Sequence, residues 1–397
     1  MARLSMFKIV LAALAALCLV GAGAVPAQAA RTDRFDAATV ERLDRAVTAV
    51  MERAGIPGAN VGLWMPGRGT YVKSFGVSDT SSGTPMDTGL HLRIGSVTKT
   101  FTITGLLKLV DQGKIALDDP IARYVPGVPQ GDRITLRQLA GMRSGLVDYT
   151  EDERWAASLL ADPQRTYTPR QLLDYAFTHP LDFPPGTKWA YSNTNTVLLG
   201  LVIEKVGGQP LGTYLKQQVY EPLELDETSF PTDARIPAPY SQGYSDFTKD
   251  GGTTAATHWN PSWAWAAGAM ISDLDDLRAW VPALADGRLL TPATQEQRLD
   301  FGPTGYPDVS YGLGIMRVKG WIGHNGDLPG YESLAVKLPS EDATMVILVN
   351  SDVDYRGASL STLLGRAVTS VVTPEHVFDL PSAAQSRQQS PSPTPSR

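Results

Sequence analysis

Arg93-Ile94-Gly95-Ser96-Val97-Thr98-Lys99, continuing as Thr100-Phe101-Thr102-Ile103-Thr104-Gly105-Leu106-Leu107-Lys108-Leu109-Val110, is the stretch on which the fold of this chain turns. Residues 97–104 alternate and are rich in Thr, which by itself suggests a strand. The Leu-rich segment that follows, ended at Gly113, decides for a helix. Residues three apart share one helix face, so the Lys99 ammonium reaches the Ser96 hydroxyl. An S-x-x-K of this kind occurs by chance about once in a chain of 397 residues, so its meaning depends on what surrounds it.

Working outward, Asp36 can cap a helix whose Val40, Leu43, Val47, Val50, Met51 and Ala54 fall on one stripe, with Gly55 and Pro57 as its stop. Residues 60–65 and 70–77 read as two strands joined by Pro66-Gly67-Arg68-Gly69. Residues 311–318, 333–338 and 344–350 read as three more, and a last helix carries Leu360, Leu363, Leu364, Ala367, Val368 and Val371. The middle of the chain lacks sustained alternation and holds helical stretches at 168–178 and 194–206 between Pro- and Gly-rich loops. The expected architecture is α+β. Residues 30–119 and 262–380 form an antiparallel sheet domain with terminal helices, and residues 120–261 form an inserted helical lobe.

Both ends read as something other than fold. Arg3 and Lys8, an apolar run over 9–20 and Ala27-Gln28-Ala29 make residues 1–29 a signal peptide, so the protein is expected to be secreted. That run is too short to span a membrane, and no stable membrane anchor is expected. The single cysteine, Cys18, lies inside it. Residues 381–397 are rich in Ser, Pro and Gln and read as a disordered tail.

The chain has 35 Lys and Arg against 41 Asp and Glu, a net charge of −6, which argues against a nucleic-acid partner. With 43% hydrophobic and 19% charged residues it is an ordinary globular composition. No phosphate-binding loop, dinucleotide fingerprint, H-E-x-x-H or G-x-S-x-G is present, so nothing points to a nucleotide, a zinc centre or a nucleophile elbow.

Two further short motifs carry chemistry. Tyr191-Ser192-Asn193 follows Pro184-Pro185-Gly186-Thr187. A phenol ordinarily titrates near 10, and a lysine ammonium beside it makes its phenolate more accessible as a base. Gly323-His324-Asn325-Gly326 stands just before an expected strand, where His324 can lie against the serine and Gly326 lets substrate approach the backbone.

Ser-x-x-Lys, then Tyr-Ser-Asn, then His-x-Gly, in this order, resembles the penicillin-recognising serine hydrolases. The branch it is most similar to has tyrosine in the second motif and histidine in the third. It holds secreted Streptomyces-type serine D-alanyl-D-alanine carboxypeptidases, class C β-lactamases, and related esterases and D-aminopeptidases. Ile134-Thr135-Leu136-Arg137-Gln138-Leu139, Arg143-Ser144-Gly145-Leu146 and Ala267-Gly268-Ala269-Met270-Ile271-Ser272 look like this family too. The resemblance implies a five-stranded antiparallel sheet flanked by helices, with the site between it and a helical lobe. It also implies an acyl-enzyme on Ser96, with Tyr191 coupled to Lys99 as the base and no cofactor or metal. Asn193 would orient Lys99 and hold a substrate amide, His324 would shape the local field, and the backbone N–H groups of Ser96 and Asp327 would bind the oxyanion.

A D-alanyl-D-alanine carboxypeptidase acting on a peptidoglycan peptide, as a monomer, is the leading expectation. The alternatives are a β-lactamase, esterase or D-aminopeptidase of the same fold, or a non-catalytic penicillin-binding receptor. One departure matters. Where carboxypeptidases of the family carry an arginine for the terminal carboxylate, this chain has Met316, with Arg317 one residue later. Asp327 replaces a hydroxyl residue after the third motif, so it either faces the cleft and repels a carboxylate or points away while a bulge brings Arg317 in. Trp263 and Trp265 can supply an aromatic wall.

Overall fold

Asp36 accepts a hydrogen bond from the Thr39 amide at 2.9 Å and so opens helix α1 (Ala37–Ala54), and Gly55, at φ +68°, closes it. Its stripe of Leu43, Val47, Val50 and Met51 is buried. These residues belong to a computed structural model that describes residues 34–381. The expected signal peptide and all of the tail beyond Pro381 lie outside the described residues.

Strands β1 (Gly58–Met65) and β2 (Gly69–Asp79) form the hairpin, in register from Gly58 opposite Gly76 to Met65 opposite Gly69. The S-x-x-K begins in one 3-10 turn, Gly95–Val97, and runs into helix α2 (Thr98–Asp111). Two helices of the middle segment follow, α3 (Pro169–Phe177) and α4 (Asn193–Gly207), then α5 (Leu274–Asp286). The chain ends with β3 (Met316–Val318), β4 (Trp321–Leu328), β5 (Tyr331–Leu338), β6 (Ala343–Val349) and α6 (Leu360–Val372).

Among the described residues the main sheet is antiparallel, in the order Thr84–Pro85, β2, β1, β6, β5, β4, β3, Val309–Tyr311, Gly302–Pro303. Five contiguous strands, β2-β1-β6-β5-β4, are seven to eleven residues long, and the other four are of two or three. The expected strand at 311–318 is in fact divided: Val309–Tyr311 and β3 are separated by a turn at Gly314, φ +64°. A Cβ on Gly314 would lie 2.4 Å from the Ile103 side chain, so α2 holds that turn close. The His-Asn-Gly motif lies inside β4 rather than ahead of a strand.

The sheet is buried on both faces, which is why β6 reads Ala-Thr-Met-Val-Ile-Leu-Val without polar alternation. Met345, Ile347 and Val349 pack with α1 and α6, while Val346 and Leu348 join the core on the opposite face. That second core is shared. It contains Phe101 and Leu106 of α2, Leu172 of α3, Leu198 and Val202 of α4, and Trp280 of α5, with the Phe101 and Trp280 rings stacked at 3.9 Å.

Glu332 of β5 ties the sheet to α6. Its buried carboxylate accepts from the amides of Leu360 at 3.0 Å and Ser361 at 2.9 Å and from the Ser359 and Ser361 hydroxyls, supplying the acceptor that the helix N-terminus requires. Glu332→Ala orphans those donors. It is expected to lower unfolding free energy by about 2–4 kcal/mol, measured by urea denaturation; a midpoint equal to that of the parent protein contradicts this role.

Candidate active site

Gly95, at φ +49°, lets the chain turn so that Ser96 sits at the N-terminal end of α2. Lys99 is fully buried one turn on. Its ammonium spends three donors on the Ser96 Oγ at 2.8 Å, the Asn193 Oδ1 at 2.7 Å and the Ala267 carbonyl at 2.8 Å. The Tyr191 hydroxyl donates to the same Ser96 Oγ at 2.8 Å. The structure thus brings together the three residues read from the sequence as catalytic, from a turn, a helix and the segment just before α4.

Asn193 is held from behind. Its amide N–H and Nδ2 donate to the Asp148 carboxylate at 3.0 and 2.8 Å, and Asp148 also accepts from the Thr150 amide at 3.0 Å. With Oδ1 committed to Lys99, one Nδ2 hydrogen is left for a ligand in the cleft. Asp148 was not legible in the sequence, because it acts through its tertiary placement and belongs to none of the three motifs.

Burial pushes the Lys99 amine down to about 7, although the Asp148 charge pulls the other way. Burial pushes the Tyr191 phenol well above its ordinary value, the reverse of the expected accessible phenolate, and the Lys99 ammonium does not offset this. His324 is neutral, its pKa pushed down to about 3 by burial and by the charge on Lys99. Its Nδ1 donates to the Asn325 carbonyl at 2.6 Å and its Nε2 accepts from the Tyr311 hydroxyl at 3.1 Å. Both ring nitrogens are therefore occupied. His324 meets the catalytic group through its ring, 6.1 Å from that of Tyr191, rather than by a hydrogen bond to the serine.

β4 runs directly against the serine turn. A Cβ on Gly95 would lie 2.5 Å from the Asp327 amide nitrogen, and one on Gly326 would lie 2.0 Å from the Ile94 carbonyl oxygen. Gly326 thus permits close approach of the Ile94–Ser96 turn, where the sequence suggested approach of substrate.

A cleft of about 550 Å³ opens at Ser96. Asn193, Ala267, Asp327 and Asp352 line it together with Trp155, Phe247 and Trp263. The Trp155 and Trp263 rings lie 5.2 Å apart. Trp265 does not contribute to this wall. It turns into a separate groove beside Tyr220 and Phe230.

Asp327 faces the cleft, and its carboxylate takes no hydrogen bond among the described residues. Enclosure by the surrounding protein and the neighbouring carboxylates of Glu332, Asp352 and Asp246 raise its pKa, although the residue itself is exposed to solvent at the cleft. Burial pushes Asp352 up to about 7, even though the Gly330 amide and Ser245 hydroxyl donate to it. Arg317 stays outside. The β3–β4 register is regular, with Arg317 opposite Ile322, and its guanidinium stacks on Phe301 at 4.5 Å and donates to the Ser310 Oγ at 3.1 Å. Among the described residues, no cation lines the cleft and no group of acidic, His or Cys side chains suited to a metal is found.

A family model described as Beta-lactamase matches residues 43–368. A D-stereospecific amidohydrolase from Streptomyces sp. is similar in structure, with a TM-score of 0.74 and 35% identity, covering 85% of this chain and 98% of that one. A D-amino acid amidase from Ochrobactrum anthropi SV3, solved with D-phenylalanine, has a TM-score of 0.74 and 27% identity, covering 84% of this chain and 99% of the amidase. A D-aminopeptidase from Cereibacter sphaeroides is 29% identical over 342 residues, 82% of this chain. This chain spans 62% of the length of that curated relative.

The contact between Gly326 and Ile94 leads to a direct expectation. Gly326→Ala forces β4 off the serine turn and is expected to lower turnover about 100-fold, since an ångström of misplacement in a catalytic array costs that much. Circular dichroism checks that the fold persists; a folded variant within threefold of the parent contradicts the tight seating of β4.

Proposed function

The chain belongs to the beta-lactamase family, and we propose that it is an exported serine hydrolase that cleaves amides of D-amino acids bearing a free α-ammonium group. The single observation that carries this is the lining of the Ser96 cleft: two carboxylates, Asp327 and Asp352, beside three large aromatic rings, with no cation. Carboxylates whose pKa values are raised by their surroundings and by acidic neighbours gain most from a bound ammonium, which favours their charged forms. Trp155, Phe247 and Trp263 suit an apolar side chain on the same residue. A substrate that ends in a free carboxylate finds no cation lining this cleft, and Arg317 stacks on Phe301 instead. We therefore place the D-aminopeptidase alternative ahead of the carboxypeptidase, in keeping with the names of the amidohydrolase, amidase and aminopeptidase relatives. Export rests on the sequence of residues 1–29 alone.

In this mechanism the Ser96 Oγ attacks the amide carbon and its proton passes to neutral Lys99. Burial makes the neutral amine available near pH 7, while Tyr191 stays a phenol. The oxyanion forms between the Ser96 backbone N–H at the start of α2, whose dipole favours negative charge, and the Asp327 backbone N–H of β4. Collapse breaks the C–N bond. Tyr191 gives its proton to the departing nitrogen and regains one from Lys99, which leaves a neutral amine product and a serine ester. Water, deprotonated through the same pair, then hydrolyses that ester and releases the free D-amino acid.

Two measurements check this reading. D-Phenylalanine amide is expected to exceed its N-acetyl derivative, and the L-enantiomer, in kcat/KM by at least tenfold. Asp327→Asn should lower kcat/KM for the free-amine substrate about 10–100-fold, the range for a hydrogen bond to a charged group. Equal rates on the acetylated and free amides would overturn ammonium recognition. With p-nitrophenyl acetate, which carries no charge for the carboxylates to sense, kcat/KM should rise with pH through about 7 and then level, because the base works deprotonated. A limb that climbs without a plateau to pH 10 would transfer the role to a phenolate.

A further inference from the structure

A groove of about 730 Å³ lies apart from the Ser96 cleft and shares no lining residue with it. Trp265, Tyr220, Phe230 and Leu211 line it, together with the charged side chains of Glu204, Glu221, Asp226 and Lys216. We infer that this groove is a second ligand site, for a small aromatic cation, and that its occupation steadies the grip of the Ala267 carbonyl on Lys99. The inference goes beyond the reading of substrate above and rests on it only in taking Lys99 as the base.

The class of ligand follows from the lining. The volume falls within the roughly 300–1,000 Å³ common for small-molecule sites. The Trp265 ring is only partly buried, so a face of it is open to a ligand. An indole face attracts a cation through its quadrupole, and Phe230 and Leu211 suit an apolar body on the same molecule. Three carboxylates meet one ammonium in the lining, so the charge favours a cation over an anion. Glu221, Asp226 and Lys216 are exposed and, among the described residues, are held by no ion pair. Glu204 spends one oxygen, accepting from the Leu211 amide at 2.9 Å, and keeps the other for a ligand.

The coupling follows from a turn with two faces. Ala264, Ala267 and Gly268 line the Ser96 cleft, while Trp265 and Ala269 line the groove. The Trp265–Ala267 turn carries both the ring in the groove and the carbonyl that accepts from Lys99 at 2.8 Å. The Gly268 and Ala269 amides donate to the Trp265 carbonyl at 3.2 and 3.0 Å, which ties the two faces together. Trp265 takes φ +35°, a conformation that bulky residues seldom adopt and that persists only where the surroundings hold it. Its ring is seated on α4, where a Cβ on Gly200 would lie 2.7 Å from it. A ligand stacked on that ring binds this arrangement of the turn and so populates it further. The Ala267 carbonyl then holds the ammonium form of Lys99 more of the time, and the neutral base is reached less often.

Benzyltrimethylammonium is the probe. It carries a permanent charge and no N–H, so it cannot accept the acyl group from Ser96. Calorimetric titration uses the Asp327→Asn protein, in which the cleft has lost a carboxylate. Saturable binding is expected, weakened about threefold by adding Asp226→Asn, as for a partly exposed charge pair. Adding Trp265→Leu instead should weaken it about tenfold, and benzyl alcohol should bind about tenfold more weakly than the probe. With p-nitrophenyl acetate at pH 7, saturating probe should lower kcat about twofold without raising KM, and Trp265→Leu should abolish the effect. Purely competitive inhibition, or a Kd unmoved by Asp226→Asn, would place the probe in the Ser96 cleft and overturn the groove. Binding that leaves kcat unchanged would overturn the coupling. Failure of ammonium recognition in the cleft is read separately, from D-phenylalanine amide. Asp226 is exposed, so Asp226→Asn stays decisive if Trp265→Leu fails to fold.

Discussion

The buried ammonium of Lys99 is the constraint around which the rest of the molecule is arranged. Removing such a charge from water costs several kcal/mol unless its donors are met. Here all three are met, by a hydroxyl, an amide oxygen and a backbone carbonyl from three separate segments. α2 supplies the lysine, α4 supplies Asn193, and the 265–267 turn supplies Ala267. The same turn is fastened to α2 by the Thr102 hydroxyl on the Ala266 carbonyl at 2.8 Å, and Thr98 accepts from the Met270 amide at 3.2 Å. The residual desolvation appears as a lowered pKa, so burying the amine also brings its neutral form within reach near pH 7.

Charge around that centre is divided by position. Asp148 sits behind Asn193, where it orients the amide and stabilises the ammonium without facing the cleft. Asp327 and Asp352 face the cleft itself, at the end of β4 and just beyond β6. Asp327 pairs with Glu332 across the β4–β5 ladder, and Glu332 is committed to the N-terminus of α6. A carboxylate that caps a helix thus helps to raise the pKa of one that lines the cleft.

Much of this is legible in the amino-acid sequence. α1, the β1–β2 hairpin, β5, β6 and α6 announce themselves because burial imposes a period of 3.6 or an unbroken apolar run. Ser96, Lys99, Tyr191 and Asn193 were found because short-range spacing and motif order carry them. β4 escaped because Gly323-His324-Asn325-Gly326-Asp327 has the composition of a loop, and its strand geometry is set by pairing with β5 and by the Ile94–Ser96 backbone. Asp148, Asp352, Trp155 and Phe247 escaped because nothing near them in sequence marks them, and only the fold brings them to the cleft. Trp265 illustrates the reverse. Adjacent to the cleft-lining Ala264 in sequence, it takes φ +35° and turns its ring into another groove.

The protonation state of Lys99 decides how this site works. Lysine labelled with carbon-13 at Cε reports it directly by NMR, the Lys99 signal being assigned by its loss in Lys99→Arg. A titration midpoint near 7 is predicted, moving lower in Asp148→Asn, where the charge that favours the ammonium is removed. A midpoint close to the ordinary 10.5 of a lysine, unmoved by Asp148→Asn, would contradict it.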